Sequence, residues 1–138
     1  MKTYELIDHT ADIGVKAYGK TLSEAFQNAA KGMFDIITDS SEIESVGQYN
    51  ISLDAQDLEQ LLVDFLSELL YLHSANNLVF GFFKVDLNDK KNSLNATIFG
   101  EKLDVSKHKI GSEIKAVTYH MLKVKKSKPV HVQVLFDI

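Results

Sequence analysis

The sequence predicts a single α+β domain in which two main helices pack on a mainly antiparallel β-sheet. Two segments place apolar residues at helical spacing, and most of the remaining chain alternates between apolar and polar residues with a period of two. The connections between these segments are short, which favours antiparallel pairing of neighbouring strands. A chain of 138 residues, 45% of them hydrophobic, is long enough for one compact domain spanning residues 1–138.

The first two strands are expected at Tyr4 to Ile7 and Ile13 to Tyr18, on either side of a tight polar corner. Thr21 and Glu24 then form the pattern of a capping box, in which each residue satisfies backbone amides at the start of a helix. The apolar stripe of this first helix consists of Leu22, Ala25, Phe26, Ala29, Ala30, Met33, Phe34 and Ile37.

A strand at Tyr49 to Leu53 precedes the second helix. Asp57 and Gln60 occupy its cap and third positions, and Asn76 and Asn77 end it. Its apolar stripe consists of Leu58, Leu61, Leu62, Phe65, Leu66, Leu69 and Leu70.

The remaining strands are expected to form two hairpins. Val79 to Leu87 and Ser93 to Glu101 flank a polar loop of hairpin length. Ile114 to Val124 and Val130 to Asp137 flank a lysine-rich turn that contains Pro129.

Composition excludes several classes of protein. Without cysteine there are no disulfides, zinc ribbons or iron–sulfur clusters. Fifteen basic and nineteen acidic residues give a net charge of −4, which argues against a surface that wraps bare nucleic acid throughout. No signal peptide or run of about 20 apolar residues is visible, so we expect a cytoplasmic protein that does not enter a membrane. A phosphate-binding glycine loop, a zinc-protease motif and a nucleophile elbow are also absent.

The corner His9-Thr10-Ala11-Asp12 is a first candidate site, because it holds an imidazole, a hydroxyl and a carboxylate in one short loop. From these four residues alone, the favoured alternative is a turn in which Asp12 caps local amides and His9 is an ordinary polar residue.

The segment Phe136-Asp137-Ile138 is a second candidate. The carboxylate of Asp137 and the α-carboxylate of Ile138 are almost adjacent, and Asp12 at the same strand end would make three hard oxygen donors. Such a set suits Ca²⁺ or Mg²⁺. A frayed terminus with a solvated acid is the alternative.

The strand that begins near Lys115 is a third candidate. Lys115 could neutralise a phosphate or pair with Asp12, or it is a solvated lysine on an edge strand. Simple alternation places Lys115 on one face and His120 on the other. His120, among apolar neighbours, is expected to be a hydrogen-bonded core histidine rather than a base.

Four lysines lie at the tip of the last predicted hairpin: Lys123, Lys125, Lys126 and Lys128. They could contact an RNA backbone or an acidic partner. A solvated turn is favoured, because no aromatic residues interleave with them in the sequence.

Short motifs along essentially the whole chain resemble the archease family. They are the segments 4–12, 21–26, 29–34 and 114–120, together with Gly100-Glu101, His108 and the closing Phe136-Asp137-Ile138. The resemblance implies an SHS2-like fold and a cofactor protein rather than a free-standing enzyme. Archeases activate the tRNA-splicing RNA ligase that joins 2′,3′-cyclic phosphate and 5′-hydroxyl ends. They promote guanylylation of the ligase histidine, allow multiple turnover and broaden nucleotide use from GTP toward ATP.

The family's metal site falls on Asp12, Asp137 and Ile138 of this chain, and its functional lysine falls on Lys115. The resemblance therefore favours a divalent cation over a frayed terminus. We expect Ca²⁺ in a crystal and Mg²⁺ or Mn²⁺ on the ligase. His9, Lys115 and His120 are expected near the partner or its nucleotide, and tRNA would be an indirect partner.

Two other functions remain open at this stage. Archease-like proteins are also associated with a tRNA cytosine methyltransferase, so the domain could act as its chaperone-like modulator, which requires an adhesive surface and no cation. The acidic residues could alternatively activate water in a metal-dependent phosphoesterase, although the sequence offers no clear general base.

Overall fold

A computed structural model describes residues 2–9 and 11–138 of the chain, and for His9 it describes the backbone only. Its elements in chain order are β1 (Tyr4–His9), β2 (Asp12–Tyr18), α1 (Leu22–Ile37), a 3₁₀ turn (Ser40–Glu42), β3 (Gly47–Asp54), α2 (Leu58–Asn76), β4 (Leu78–Asn88), β5 (Ser93–Lys102), β6 (Ala116–Lys125) and β7 (His131–Asp137). The predicted α+β class, with two main helices and antiparallel strand pairing, is confirmed. The strands form two sheets, one in the order β1-β2-β7-β6 and one in the order β3-β5-β4.

Both helices begin at the predicted caps. Thr21 Oγ1 accepts a 3.2 Å hydrogen bond from the amide of Glu24, and Asp57 Oδ1 accepts a 2.8 Å hydrogen bond from the amide of Gln60. Helix α2 ends at Asn77, whose φ of 56° places it in the left-handed conformation that asparagine tolerates. The predicted stripe of α1 is entirely buried, and that of α2 is buried except for the half-buried Leu58.

The core lies between the helices and the two sheets. Phe34 of α1 contacts Phe80 of β4 edge to face, with ring centroids 5.5 Å apart. Gln27 and Ser23 of α1 accept hydrogen bonds from backbone amides of β4, at 2.8 and 3.0 Å. Since β4 is an edge strand, these two side chains satisfy amides that would otherwise be open to another strand.

The four-stranded sheet has an inner face that joins the core and an outer face that carries the candidate site. Residues directly opposite one another share a face, so the register divides the outer face across β2, β7 and β6 into four rows. In order along β2, they are Tyr18–His131–Lys125, Lys16–Gln133–Lys123, Gly14–Leu135–Thr118 and Asp12–Asp137–Ala116. We call the first two the basic rows and the last the acidic row. Between the first row and the last, six residues of strand span about 20 Å.

No helix within residues 2–9 and 11–138 combines the length and the apolar character needed to cross a bilayer.

Candidate functional site

The acidic row brings two carboxylates together from the two ends of the sequence. Asp12, the first residue of β2, lies directly opposite Asp137, the last residue of β7. Directly opposite residues in antiparallel strands have Cβ atoms about 5 Å apart. Asp137 is exposed, Asp12 is half-buried, and Ile138 follows Asp137. The third strand of the row contributes Ala116, which adds no charge.

The predicted corner connects β1 to β2. The backbone of His9 pairs with Asp12, the first residue of β2. Ala11 has a φ of 61°, a left-handed conformation that costs a non-glycine residue about 1 kcal/mol. The His9 side chain and the whole of Thr10 lie outside the described residues.

The oxygen donors of the acidic row fit a hard divalent cation in kind. They are too few to hold one by themselves: in the part of the chain that the structure describes, no three His, Cys, Asp or Glu side chains are grouped closely enough for a metal ion. A cation bound to Asp12 and Asp137 would need further ligands from the α-carboxylate of Ile138, from water or from a partner molecule.

Lys115 lies immediately before β6 rather than inside the strand as predicted, because the pairing of β6 with β7 begins at Ala116. Its amide donates a 2.7 Å hydrogen bond to the carbonyl oxygen of Asp137. The Lys115 side chain is exposed. Its backbone is therefore joined to the acidic row.

The prediction of a core histidine at position 120 is wrong, because His120 is exposed. A β-bulge interrupts the pairing of β6 and β7 between Thr118 and Lys123, so the simple alternation expected for this strand does not apply. Met121 in the bulge has a φ of 56°, and its carbonyl oxygen accepts a 2.8 Å hydrogen bond from Nε2 of Gln133.

A charged cluster at the end of β5 contains the half-buried Glu101, the exposed Lys107 and the buried His108. In the sequence, Glu101 and His108 were recognisable only as family motif residues. The amide of Asp104 donates a 2.9 Å hydrogen bond to Nδ1 of His108, so the proton of this imidazole is on Nε2. Nε2 lies 3.0 Å from the Glu101 carboxylate, which also accepts hydrogen bonds from the amide of Glu44 and from Lys107 Nζ. His108 is 2% exposed, so its ring is not open to substrate.

Electrostatics set the protonation state of this cluster. Burial by itself would raise the pKa of the Glu101 carboxyl, but the hydrogen bonds from Glu44, Lys107 and His108 outweigh that effect and lower the pKa to about 2. Glu101 is therefore ionised under physiological conditions and has a structural role.

The same cluster fixes the loop that leads to Lys115. Downstream of His108, the amides of Gly111 and Ser112 donate to the last carbonyl oxygens of α1, at 2.9 and 2.8 Å. Thr38 Oγ1 donates to the carbonyl oxygen of Lys109. The position of Lys115 thus depends on a loop anchored both to β5 and to the end of α1.

The basic rows contain two aromatic rings: His131, which follows the lysines of the last hairpin in sequence, and Tyr18, which is far from them in sequence. Tyr18 and His131 lie opposite each other with ring centroids 6.0 Å apart, and His131 lies opposite Lys125. In three dimensions Tyr18 and His131 share one row with Lys125, so rings do lie beside a lysine of the last hairpin. Only strand register could reveal this, because Tyr18 and His131 are far apart in sequence.

Comparison with known proteins gives concordant results. The model of the "Archease protein family (MTH1598/TM1083)" matches residues 4–138. A protein archease of Pyrococcus furiosus is 45% identical over 128 residues, which cover 91% of this chain and 90% of the relative. A protein archease of Methanosarcina barkeri is 47% identical over 129 residues, covering 91% of this chain and 88% of the relative.

The fold has a counterpart among solved structures. The solution structure of Methanobacterium thermoautotrophicum protein 1598 superposes with a TM-score of 0.83 and 35% sequence identity, covering 100% of both chains.

Proposed function

The chain belongs to the archease family, and we propose that it is an accessory protein that activates a tRNA-splicing RNA ligase. In this proposal it promotes guanylylation of the ligase histidine, supports repeated turnover and broadens the choice of nucleotide. It is not itself the catalyst.

The pairing of Asp12 with Asp137 is the observation that carries this proposal. Like charges directly opposite each other repel, so a cation bound between the two carboxylates would be favoured. The proposed cation ligands are these two carboxylates and the α-carboxylate of Ile138. The physiological ion in this proposal is Mg²⁺ or Mn²⁺, and Ca²⁺ is the ion expected under crystallisation conditions.

A cation at this position would supply charge neutralisation and positioning for phosphate oxygens, the usual role of divalent ions in phosphoryl transfer. The exposed ammonium of Lys115 would add a second positive charge beside the row, since its amide is bonded to Asp137. His9 and His120 are assigned to contacts with the ligase or its nucleotide.

The test is multiple-turnover ligation of a cyclic-phosphate RNA by the ligase, with this protein well below one equivalent. We expect the wild type to raise turnover and Asp12→Ala to lose most of that effect. Asp86→Ala is the matched control, because Asp86 is an exposed aspartate on β4 of the other sheet. It should activate like the wild type.

Activation by Asp12→Ala equal to that of the wild type would remove the acidic row from the mechanism. Failure of the folded wild-type protein to activate an active ligase would reject the ligase as its client. The methyltransferase-modulator function would then take its place.

A further inference from the structure

The basic rows form a partly exposed surface that carries lysines and aromatic rings, with the buried Gln133 at its centre. Lys16 Nζ lies over the Tyr18 ring, 5.7 Å from its centroid, and the Tyr18 and His131 rings are inclined at 40°. Lys125 continues the row of His131, and Lys123 lies two residues before it on the same face. Both of these lysines are exposed.

This combination matches the chemistry of single-stranded nucleic acid. Ammonium groups neutralise phosphates, and aromatic faces stack against bases of any sequence. All fifteen basic residues of the chain are lysines, which act as point charges and lack the planar fork with which arginine reads particular bases. A surface of this kind would bind a strand without strong sequence preference.

We propose that the outer face of the four-stranded sheet binds single-stranded RNA directly, with phosphates at Lys16, Lys123 and Lys125 and bases against Tyr18 and His131. Direct RNA contact goes beyond the activation of a ligase. The choice of RNA over DNA rests on the proposed function.

Local charge favours a nucleic acid over a protein partner. Although the chain has a net charge of −4, the basic rows across β2, β7 and β6 hold three lysines and no acid. Glu5 of β1 lies opposite Lys16, but its carboxylate accepts hydrogen bonds from Lys2 and from the Tyr18 hydroxyl. The six residues of the basic rows include no large aliphatic side chain of the kind that forms the centre of a protein interface, and the exposed Tyr119 and Met121 lie in the neighbouring bulge.

The geometry gives the bound strand a path from the basic rows to the acidic row. The basic rows and the acidic row share one face, and the two basic rows lie about 20 Å and about 13 Å from the acidic row along β2. A strand held on Lys123 and Lys125 that continues along β6 toward Ala116 reaches the level of Asp12 and Asp137 on the neighbouring strands. The cation assigned to the acidic row would then lie beside the RNA end.

The first experiment measures fluorescence anisotropy of a labelled single-stranded RNA titrated with the protein alone, without ligase. The variant Lys123→Glu/Lys125→Glu should bind at least about tenfold more weakly. Loss of two phosphate contacts should also make the plot of log affinity against log salt shallower by about 1.4. Lys84→Glu/Lys109→Glu is the control, because it makes the same change in net charge at exposed lysines away from the outer face and should bind like the wild type.

A second pair of variants tests the rings. Tyr18→Leu should weaken RNA binding by about tenfold, the effect of removing one stacked base contact. Tyr18→Phe keeps the ring but loses the hydrogen bond to Glu5, so it should bind like the wild type. Thermal unfolding of each variant establishes that the fold persists.

Three results would overturn the proposal. These are no RNA binding by the wild type at low salt, equal weakening by the two double variants, and a loss of ligase binding by Lys123→Glu/Lys125→Glu without any change in RNA affinity. The first result together with normal ligase activation would refute this inference and leave the proposed function intact. RNA binding without ligase activation would refute the proposed function and leave this inference intact.

Discussion

Two carboxylate clusters of this protein differ in the groups that surround the negative charge. Glu101 is surrounded by donors: the amide of Glu44 at 2.7 Å, Lys107 Nζ at 2.9 Å and His108 Nε2 at 3.0 Å. In the acidic row, Asp12 and Asp137 lie opposite each other at the end of their strands. The side chain of Glu101 is only 14% exposed, whereas Asp137 is open to solvent.

The difference separates a carboxylate held by several donors from a pair of carboxylates placed opposite each other at a strand end. The donors around Glu101 make ionisation favourable in the folded state, which is why its pKa is low. The acidic row places like charges together, which favours an incoming cation. Variants should therefore change stability at Glu101 and ligand response at Asp12 and Asp137.

The largest expected effect is that of Glu101→Gln on stability. The change removes the negative charge from a half-buried carboxylate that accepts hydrogen bonds from Lys107 and His108. A pKa lowered from 4.5 to about 2 corresponds to a loss of about 3 kcal/mol in the free energy of unfolding near neutral pH. Urea denaturation measures this loss. Glu113→Gln, at an exposed loop position, should change stability by less than about 0.5 kcal/mol.

The lowered pKa of Glu101 also predicts how the free energy of unfolding depends on pH. Because the pKa of Glu101 is lower in the folded state than in the unfolded chain, its stabilising contribution is complete above about pH 4.5 and is lost as the pH falls toward about 2. The difference in free energy of unfolding between wild type and Glu101→Gln should therefore decrease toward zero as the pH falls over that range. Denaturation curves at a series of pH values measure it, and a difference that persists unchanged near pH 2 would contradict the assignment.

Divalent cations should stabilise the folded protein by binding at the acidic row. If Ca²⁺ binds only the folded protein, a hundredfold excess over its dissociation constant stabilises the wild type by about 2.7 kcal/mol. Asp12→Ala should lose this response and Asp86→Ala should keep it, as judged by thermal unfolding with and without added Ca²⁺. Residues appended after Ile138 should also weaken the response if the α-carboxylate is a ligand. An equal shift in all of these proteins would show that the cation acts elsewhere.

Local sequence patterns were sufficient to predict the helices. The caps at Thr21 and Asp57 and the two apolar stripes depend on residues three or four positions apart, and the structure has them as expected. The two later hairpins were predictable for the same reason, because their strands are neighbours in sequence.

Features that depend on distant residues were not predictable from the residues alone. His120 is exposed because of a bulge in which Gln133 of β7 binds the carbonyl oxygen of Met121. The alternation of apolar and polar residues in β6 does not predict that hydrogen bond. The basic rows and the acidic row likewise arise from the pairing of β2 with β7, strands at opposite ends of the sequence. Resemblance to a family grouped Asp12 with Asp137, but no resemblance pointed to Tyr18 and His131.

The smallest expected effect is that of Asp137→Asn on the protein without divalent cation. Asparagine keeps the shape of the side chain and removes one of two like charges that face each other across β2 and β7. We expect the free energy of unfolding to rise by about 0.5 kcal/mol, the opposite sign to Glu101→Gln. Urea denaturation in the presence of a chelator and at low ionic strength measures it, because salt would screen the repulsion at this exposed position. A loss comparable to that of Glu101→Gln would mean that Asp137, like Glu101, stabilises the fold.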